Sequence, residues 1–168
     1  MSRVPAFMCT LPSEPEMAHR YLLHPGDVAV GTRGDMFETL LGSCVAVVLT
    51  DPRRTVGAMC HIVHTGEGPT GTPRDSCFGD AALERMYSML RVRGIEPRLC
   101  EAYVYGGGNM FPGLFAEGHV GANNAIWTLD ALMQDGVRVL QQDLGGNQYR
   151  KLSWVVGTAA PSVMAVAV

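Results

Sequence analysis

Short apolar runs separated by turn residues make up most of the chain between residues 21 and 64. The stretch "YLLHPGDVAVG" from Tyr21 predicts two short strands around a Pro-Gly turn. Farther along, "CVAVVLT" and "TVGAMCHIVH" are rich in strand-forming residues and are joined by the turn sequence "DPRR". Because so short a connection favours pairing between the strands it joins, we expect these two runs to form a hairpin.

Two later segments have apolar side chains at helical rather than strand spacing. The first, residues 80–94, is predicted to begin with Asp80 as its cap and to end at Gly94, and the second, residues 122–136, to end at Gly136. The spaced apolar residues are Leu83, Met86, Tyr87, Leu90, Ile126, Leu129, Leu132 and Met133. Strands with two inserted amphipathic helices predict an α/β fold, a layered sandwich of β-sheets with two helices packed on a sheet face.

Length and composition predict one domain. The 168 residues fit a single compact unit, and 47% hydrophobic against 17% charged residues is a globular composition. Residues 1–20 carry three prolines among polar residues and are expected to form a loosely ordered N-terminal arm, which leaves residues 21–168 as the domain. The apolar tail from Trp154 is interrupted by Pro161 and predicts two buried strands around a turn.

Charge and cysteine content exclude several classes of function. A net charge of -3 without a Lys/Arg cluster argues against a nucleic-acid partner. With neither a secretion signal nor an apolar stretch of roughly 20 residues, we expect no membrane insertion and a cytoplasmic location. The five cysteines are odd in number and form no C-x-x-C pair, so we expect neither a disulfide framework nor a structural zinc site.

One cysteine has a setting that core packing does not require. Cys44 directly follows the turn Gly42-Ser43 and opens an apolar strand. Side chains alternate along a strand, so only one of His61 and His64 faces Cys44 across the hairpin. A cysteine and a histidine so placed are suited to act as a nucleophile and its base, and N–H groups of the turn are suited to binding an oxyanion. On spacing alone, a small buried cysteine and a structural histidine explain the same residues.

Motifs in consecutive order resemble the CheD family, the chemoreceptor glutamine deamidases of bacterial chemotaxis. The stretch "TLLGSCVAVVLTDPRRTVGAMCHIV", residues 39–63, is similar to the family's L-G-S-C-V segment, its Asp at the strand end and its Gly-x-x-x-His. Four later segments also resemble family motifs, namely "FGDAAL", "YGGGNMF", "VGANNAIWTL" and "QDLGGNQYRKL". Together the matches extend in order over residues 21–157.

The resemblance assigns roles to residues of the predicted hairpin. It implies that Cys44 is the nucleophile and His61 the general base and acid, with Gly42 and Ser43 supporting the oxyanion turn. The family's third catalytic residue is a threonine six positions before the cysteine, where this chain has Glu38, with Thr39 next to it. Three alternatives stay open: a bulge that re-aims Thr39, a carboxylate role for Glu38, or a dispensable third residue. We take Thr39 as the candidate.

By the same resemblance, the chain is expected to convert chemoreceptor glutamine side chains to glutamate through a thioester, without a metal or organic cofactor. The implied partners are the helices of the receptor cytoplasmic domain and the phosphatase CheC. The altered threonine position motivates an alternative, a CheD-like binding module with little or no activity. A small cysteine hydrolase acting on unrelated amides is a third interpretation, although the long Gly-rich loop after His61 favours a protein substrate.

The remaining polar and glycine-rich positions are expected to be structural. The glycines of "YGGGNMF" lack the Lys and helix start of a phosphate loop, so we expect residues 106–108 to form a tight turn beside the site. The residues expected to be structural, solvated or inert are His24, His64, His119, Cys60, Cys77 and Cys100.

Overall fold

The computed structural model describes residues 18–168, which form nine strands, two α-helices and one 3-10 helix. The strands are β1 (Arg20–Leu23), β2 (Val28–Thr32), β3 (Met36–Leu41), β4 (Val45–Thr50), β5 (Val56–Ile62), β6 (Glu101–Gly106), β7 (Arg138–Leu144), β8 (Gln148–Val155) and β9 (Ser162–Ala167). The helices are α1 (Gly79–Val92), α2 (Val120–Gln134) and the 3-10 helix Pro97–Leu99. Of the predicted N-terminal arm, residues 1–20, the first 17 residues lie outside the described part of the chain. Its last residue, Arg20, belongs to β1.

The strands are divided between two sheets. A four-stranded sheet has the order β1-β3-β8-β9, and a five-stranded sheet has the order β2-β5-β4-β6-β7. The predicted hairpin is confirmed, because β4 and β5 pair antiparallel without a break from Val45 opposite Ile62 to Thr50 opposite Gly57. It lies in the middle of the five-stranded sheet, where both of its edges are paired.

The helices, the five-stranded sheet and the four-stranded sheet form three packed layers, which confirms the predicted α/β sandwich. All six residues of β4 are buried, because the two helices cover one face of the five-stranded sheet and the four-stranded sheet covers the other. Val45, Val47 and Leu49 pack towards the helices, whereas Ala46 and Val48 point into the space between the sheets. Any side chain on that second face is therefore enclosed by both sheets.

Both helices occupy the predicted segments, but the predicted cap of α1 is wrong. The N-cap position is Phe78, and Asp80 instead forms an ion pair with Arg74 at 3.0 Å. No carboxylate cap is needed, because the carbonyls of His64 and Gly66 accept the first N–H groups of the helix. The predicted ends hold, since Gly94 and Gly136 have φ angles of +76° and +73° just past the last helical turns. Neither helix is long and apolar enough to cross a membrane, and residues 18–168 contain no other candidate.

The apolar tail from Trp154 contains the end of β8 and the whole of β9; β8 has buried and exposed residues in alternation, and β9 is largely exposed. β9 is an edge strand that pairs with β8 alone, and most of its side chains are exposed, including Met164 and Val166. The prediction of two buried strands is wrong for β9 because no further layer covers this edge of the four-stranded sheet in the described part of the chain.

Candidate active site

Cys44 and His61 lie on the same face of the five-stranded sheet, in the space between the two sheets. Within the hairpin, His61 is directly opposite Ala46, and cross-strand partners project to the same face. Cys44 is two residues before Ala46 and packs, half-buried, against the same core. Cys44 is thus a diagonal neighbour of His61, a relationship in which Cα atoms are typically about 7–8 Å apart. Cys60 points the other way, under the helices, as strand alternation predicts.

Thr39 reaches His61 from the opposite sheet. Its hydroxyl lies 2.8 Å from Nδ1 of His61 and 2.9 Å from the carbonyl oxygen of Leu23. The hydroxyl has one proton, which it donates to the carbonyl, because a carbonyl oxygen accepts only. The hydroxyl oxygen must then accept from Nδ1–H, which leaves the lone pair of the neutral imidazole on Nε2.

The geometry distinguishes between the alternatives for the third residue. β3 pairs with β8 in unbroken register from Met36 to Leu41, so no bulge re-aims Thr39. Thr39 already lies on the inner face, where it is 1% exposed, whereas Glu38 projects outward and binds Arg20 at 2.8 Å. The structure therefore brings Thr39, and not Glu38, to the histidine.

Burial keeps both members of the cysteine–histidine pair uncharged at neutral pH. It lowers the pKa of His61 to about 4, against a smaller opposing effect of the Asp27 carboxylate. Burial also raises the pKa of the Cys44 thiol, as does the nearby Cys77 thiol. Nε2 of His61 is enclosed and has no hydrogen-bond partner among residues 18–168. The resting site is therefore a thiol beside a neutral imidazole with a free acceptor.

The turn that carries Cys44 is held through its carbonyl groups. The N–H groups of Gly107 and Gly108 donate to the carbonyls of Cys44 and Gly42, both at 2.9 Å. The side-chain amide of Asn124 in α2 donates to the carbonyl of Ser43 at 3.0 Å. By contrast, the N–H groups of Ser43 and Cys44 have no acceptor within residues 18–168, which leaves them available to an external oxygen.

The predicted glycine turn beside the site is confirmed. Gly106 and Gly107 have φ angles of +115° and +63°, which side chains rarely adopt. A Cβ atom on Gly106 would lie 2.1 Å from the carbonyl oxygen of Cys44, so only glycine allows the two turns to approach this closely. The turn thus serves the cysteine and not a phosphate.

A small apolar cavity lies against the cysteine turn. It encloses about 210 Å³ and is lined by Ser43, the residues that follow the glycine turn, and the start of α2. Phe111 and Phe115 form part of its wall and are exposed. His119, expected to be structural, caps α2 by accepting from the N–H of Ala122 at 3.1 Å.

Sequence reasoning assigned no contacts to Asn124 and Arg150, although both lie in segments that resemble family motifs, "VGANNAIWTL" and "QDLGGNQYRKL". Asn124 is 1% exposed and donates to the carbonyls of both Ser43 and Val63, so it joins the cysteine turn to the end of the histidine strand. Helical periodicity carried the signal, because Asn124 lies one turn from Gly121 on the buried face of α2. Arg150 is an equally buried cation between the sheets, and its motif alone does not indicate which groups it contacts.

No metal centre accompanies this arrangement in the part of the chain that the structure describes. Residues 18–168 contain no group of three or more His, Cys, Asp or Glu side chains arranged to hold a metal ion.

A family model and the curated relatives of this chain all indicate the same protein family. The family model described as CheD chemotactic sensory transduction matches residues 64–164, a range that begins just after His61. A probable chemoreceptor glutamine deamidase CheD 2 of Albidiferax ferrireducens is 35% identical over 134 residues, which cover 77% of this chain and 78% of that protein. A protein of the same name from Geobacter sulfurreducens is 34% identical over 146 residues, covering 86% of this chain and 88% of the relative. A probable chemoreceptor glutamine deamidase CheD of Pseudomonas fluorescens is 34% identical over 134 residues, covering 78% and 76%. At this identity and coverage, the chain belongs to the CheD family.

Proposed function

We propose that this protein is a chemoreceptor glutamine deamidase in which Cys44 is the nucleophile, His61 the general base and acid, and Thr39 the residue that orients His61. The observation that carries the proposal is the hydrogen-bonded chain from Leu23 through Thr39 to Nδ1 of His61, which leaves Nε2 free on the face shared with Cys44. The names of the relatives support the substrate, a receptor glutamine.

The first half of the reaction forms a thioester. Nε2 of His61 takes the proton of the Cys44 thiol as the sulfur attacks the side-chain carbonyl carbon of the glutamine. The N–H groups of Ser43 and Cys44, which lack other acceptors within residues 18–168, bind the resulting oxyanion. When the tetrahedral intermediate collapses, the C–N bond breaks and Nε2–H protonates the leaving nitrogen, so ammonia departs.

The second half hydrolyses the thioester. Nε2 takes a proton from water as its oxygen attacks the acyl carbon, and the C–S bond then breaks. The sulfur recovers its proton from the imidazolium, and the receptor side chain leaves as glutamate. Methyl esters of glutamate have the same acyl carbon and are chemically eligible substrates. Burial lowers the pKa of His61 to about 4, so the imidazole is neutral at neutral pH and Nε2 is free to accept a proton at each attack.

The proposed location and partners follow from the substrate. Receptor glutamines that control signalling belong to the cytoplasmic helices of chemoreceptors, so we propose that the protein acts in the cytoplasm. The phosphatase CheC is a second proposed partner, on the strength of the family resemblance. The 2.8 Å contact between Thr39 and His61 supports the enzyme over the alternative of a binding module, which the shifted threonine position had suggested.

Mass spectrometry of a purified receptor cytoplasmic domain tests the proposal. Incubation with the native protein should add about one dalton for each glutamine whose amide NH2 is replaced by OH, and Cys44→Ala should abolish the gain. Cys77→Ala is the matched control, because it removes another partly exposed thiol and should leave the gain intact. A gain that persists in Cys44→Ala would contradict the cysteine mechanism, and receptor binding without any gain would favour the binding module.

A further inference from the structure

Arg150 is a buried cation that the proposed reaction does not use directly. It lies on the inner face of β8 with Leu152 and Trp154, and its side chain is 1% exposed. Burying a guanidinium is costly unless hydrogen bonds compensate. Its bonds go to the carbonyl of Gly145 at 2.8 Å, the carbonyl of Gly106 at 3.2 Å and the half-exposed carboxylate of Asp143 at 3.0 Å.

A single peptide group connects this guanidinium to the cysteine. The carbonyl of Gly106 accepts from Nη1 of Arg150, and the N–H on the other side of the same peptide bond, that of Gly107, donates to the carbonyl of Cys44 at 2.9 Å. Because a peptide group is planar, fixing its carbonyl also fixes the direction of its N–H. Arg150 therefore determines where the donor that holds Cys44 points.

Two further contacts make this connection rigid. The N–H of Gly145 donates to the carbonyl of Gly106 at 2.9 Å, and the carbonyl of Gly145 accepts from Arg150. Gly145 is thus held by Arg150 and also supports the Gly106–Gly107 peptide group. The N–H of Gly108, one residue beyond, holds the carbonyl of Gly42 at 2.9 Å. Arg150 thus joins the glycine turn, the end of β7 and the four-stranded sheet at one point behind the cysteine turn.

We infer that Arg150 is a positioning residue, which sets the direction of the Cys44 turn and its N–H groups through the Gly106–Gly107 peptide. This inference rests on the proposed deamidase function. Arg150 acts through the backbone, because the structure connects its guanidinium to the Cys44 turn by way of the Gly106–Gly107 peptide. Its loss should therefore misalign attack without changing how readily the thiol ionises.

Steady-state kinetics of Arg150→Met and Arg150→Lys on the receptor domain test the inference. Met fills similar volume without donors, and we expect kcat to fall about tenfold to a hundredfold while KM stays within about twofold. Lys keeps the charge but lacks the planar fork, so its kcat should lie between those of Arg150→Met and the native protein. The midpoint of the pH profile for iodoacetamide alkylation of Cys44 should not move in either variant.

Two control variants separate positioning from stability. Arg54 lies in the turn between β4 and β5, at the end of the hairpin away from Cys44, and forms a largely buried ion pair with Glu101 of β6. Arg54→Met removes this ion pair and should lower the free energy of unfolding while kcat is retained. Asp143→Asn removes the ion pair of Arg150 but keeps its bonds to Gly106 and Gly145, and should also retain kcat. A kcat loss in Arg54→Met equal to that in Arg150→Met would overturn the inference.

The remaining outcomes are equally decisive. A folded Arg150→Met with native kcat, or an alkylation midpoint shifted by more than about one pH unit, overturns the positioning role. If Arg150→Met does not fold, Arg150→Lys decides, since native kcat in that variant contradicts the need for the fork. If the native protein shows no receptor mass gain that depends on Cys44, the proposed function fails and the inference falls with it. If that gain is present and the Arg150 variants match the native kcat, only the inference fails.

Discussion

The Thr39 hydroxyl lies 2.8 Å from Nδ1 of His61, across the space between the two sheets. β3 carries the threonine in the four-stranded sheet, and β5 carries the histidine in the five-stranded sheet. The contact therefore depends on how the sheets stack, and it sets the tautomer of the imidazole through the carbonyl of Leu23. A change at Thr39 should affect the chemistry of the histidine more than the packing around it.

Thr39→Val should lower kcat by about tenfold to a hundredfold, because the isosteric side chain no longer accepts from Nδ1–H and the imidazole loses its fixed tautomer. KM for the receptor domain should change little. Thr39→Ser keeps the hydroxyl and should recover most of the loss. The rate at which the receptor domain gains mass gives kcat and KM for the native protein, Thr39→Val and Thr39→Ser.

Glu38→Gln is the matched control for this prediction. The Glu38 side chain pairs with Arg20 on the face of β3 opposite to His61, so its neutralisation should leave kcat within about twofold of the native value. If Glu38→Gln were the variant that lost activity while Thr39→Val kept it, the orienting role would belong to the carboxylate.

Folding stability should fall with acidification between pH 6.5 and 4 because of His61. The ordinary pKa of 6.5 applies in the unfolded chain and a pKa of about 4 in the folded one, so only the unfolded chain binds this proton within the window. Stability conferred by the neutral imidazole is thus complete above pH 6.5 and is lost as pH falls, by about 2 kcal/mol between pH 7.5 and 5. Asp35 and Asp51, whose pKa values are lowered from 3.8, act only at lower pH.

Urea unfolding at pH 7.5 and pH 5 measures this loss. His61→Gln has no proton to gain in the window and should lose less stability than the native protein over the same interval. An equal loss in both proteins would assign the acid sensitivity to other groups.

Asn124 should matter to both stability and turnover. Asn124→Ala leaves the part-buried carbonyls of Ser43 and Val63 without a donor, which should cost about 1–3 kcal/mol of unfolding free energy and release the cysteine turn. Asn124→Asp should be worse, because a carboxylate would face two carbonyl oxygens. Urea unfolding and receptor kinetics report the two effects.

Asn123→Ala is the comparison for Asn124, since the neighbouring residue is exposed on the other side of the helix. It should leave stability within about 0.5 kcal/mol of the native value. Similar losses at both positions would point to helix propensity and away from the bonds of Asn124.

Local patterns predicted the parts of the site that depend on one strand or one turn. Strand alternation predicted that only one of His61 and His64 faces Cys44, the family resemblance selected His61, and the short turn between β4 and β5 predicted the hairpin that makes them neighbours. The candidate Thr39 came only from the family resemblance, because its contact with His61 joins different sheets whose stacking no local pattern encodes. The contacts of Arg150 were not predicted for the same reason, since its hydrogen bonds run from β8 to backbone carbonyls of Gly106 and Gly145 at the edge of the other sheet.

The remaining errors have a related origin. Asp80 has the sequence of a helix cap, but loop carbonyls reach the start of α1 first. β9 has the composition of a buried strand, yet its burial would require a layer that residues 18–168 do not provide. In both cases the local preference was correct, and the tertiary surroundings decided the outcome.

Gly106→Ala tests whether the close approach of the glycine turn holds the cysteine in place. The new Cβ would lie 2.1 Å from the carbonyl oxygen of Cys44, which is backbone and cannot move without shifting the nucleophile. The φ angle of +115° adds strain for any side chain, so the variant should lose at least about 2 kcal/mol of unfolding free energy. Receptor turnover should fall even at temperatures where the variant stays folded.

Gly113→Ala is the matched control, because a Cβ there meets open space, and it should leave both the unfolding free energy and receptor turnover unchanged. Native turnover in a folded Gly106→Ala would mean that the cysteine turn tolerates displacement and that attack does not depend on this contact.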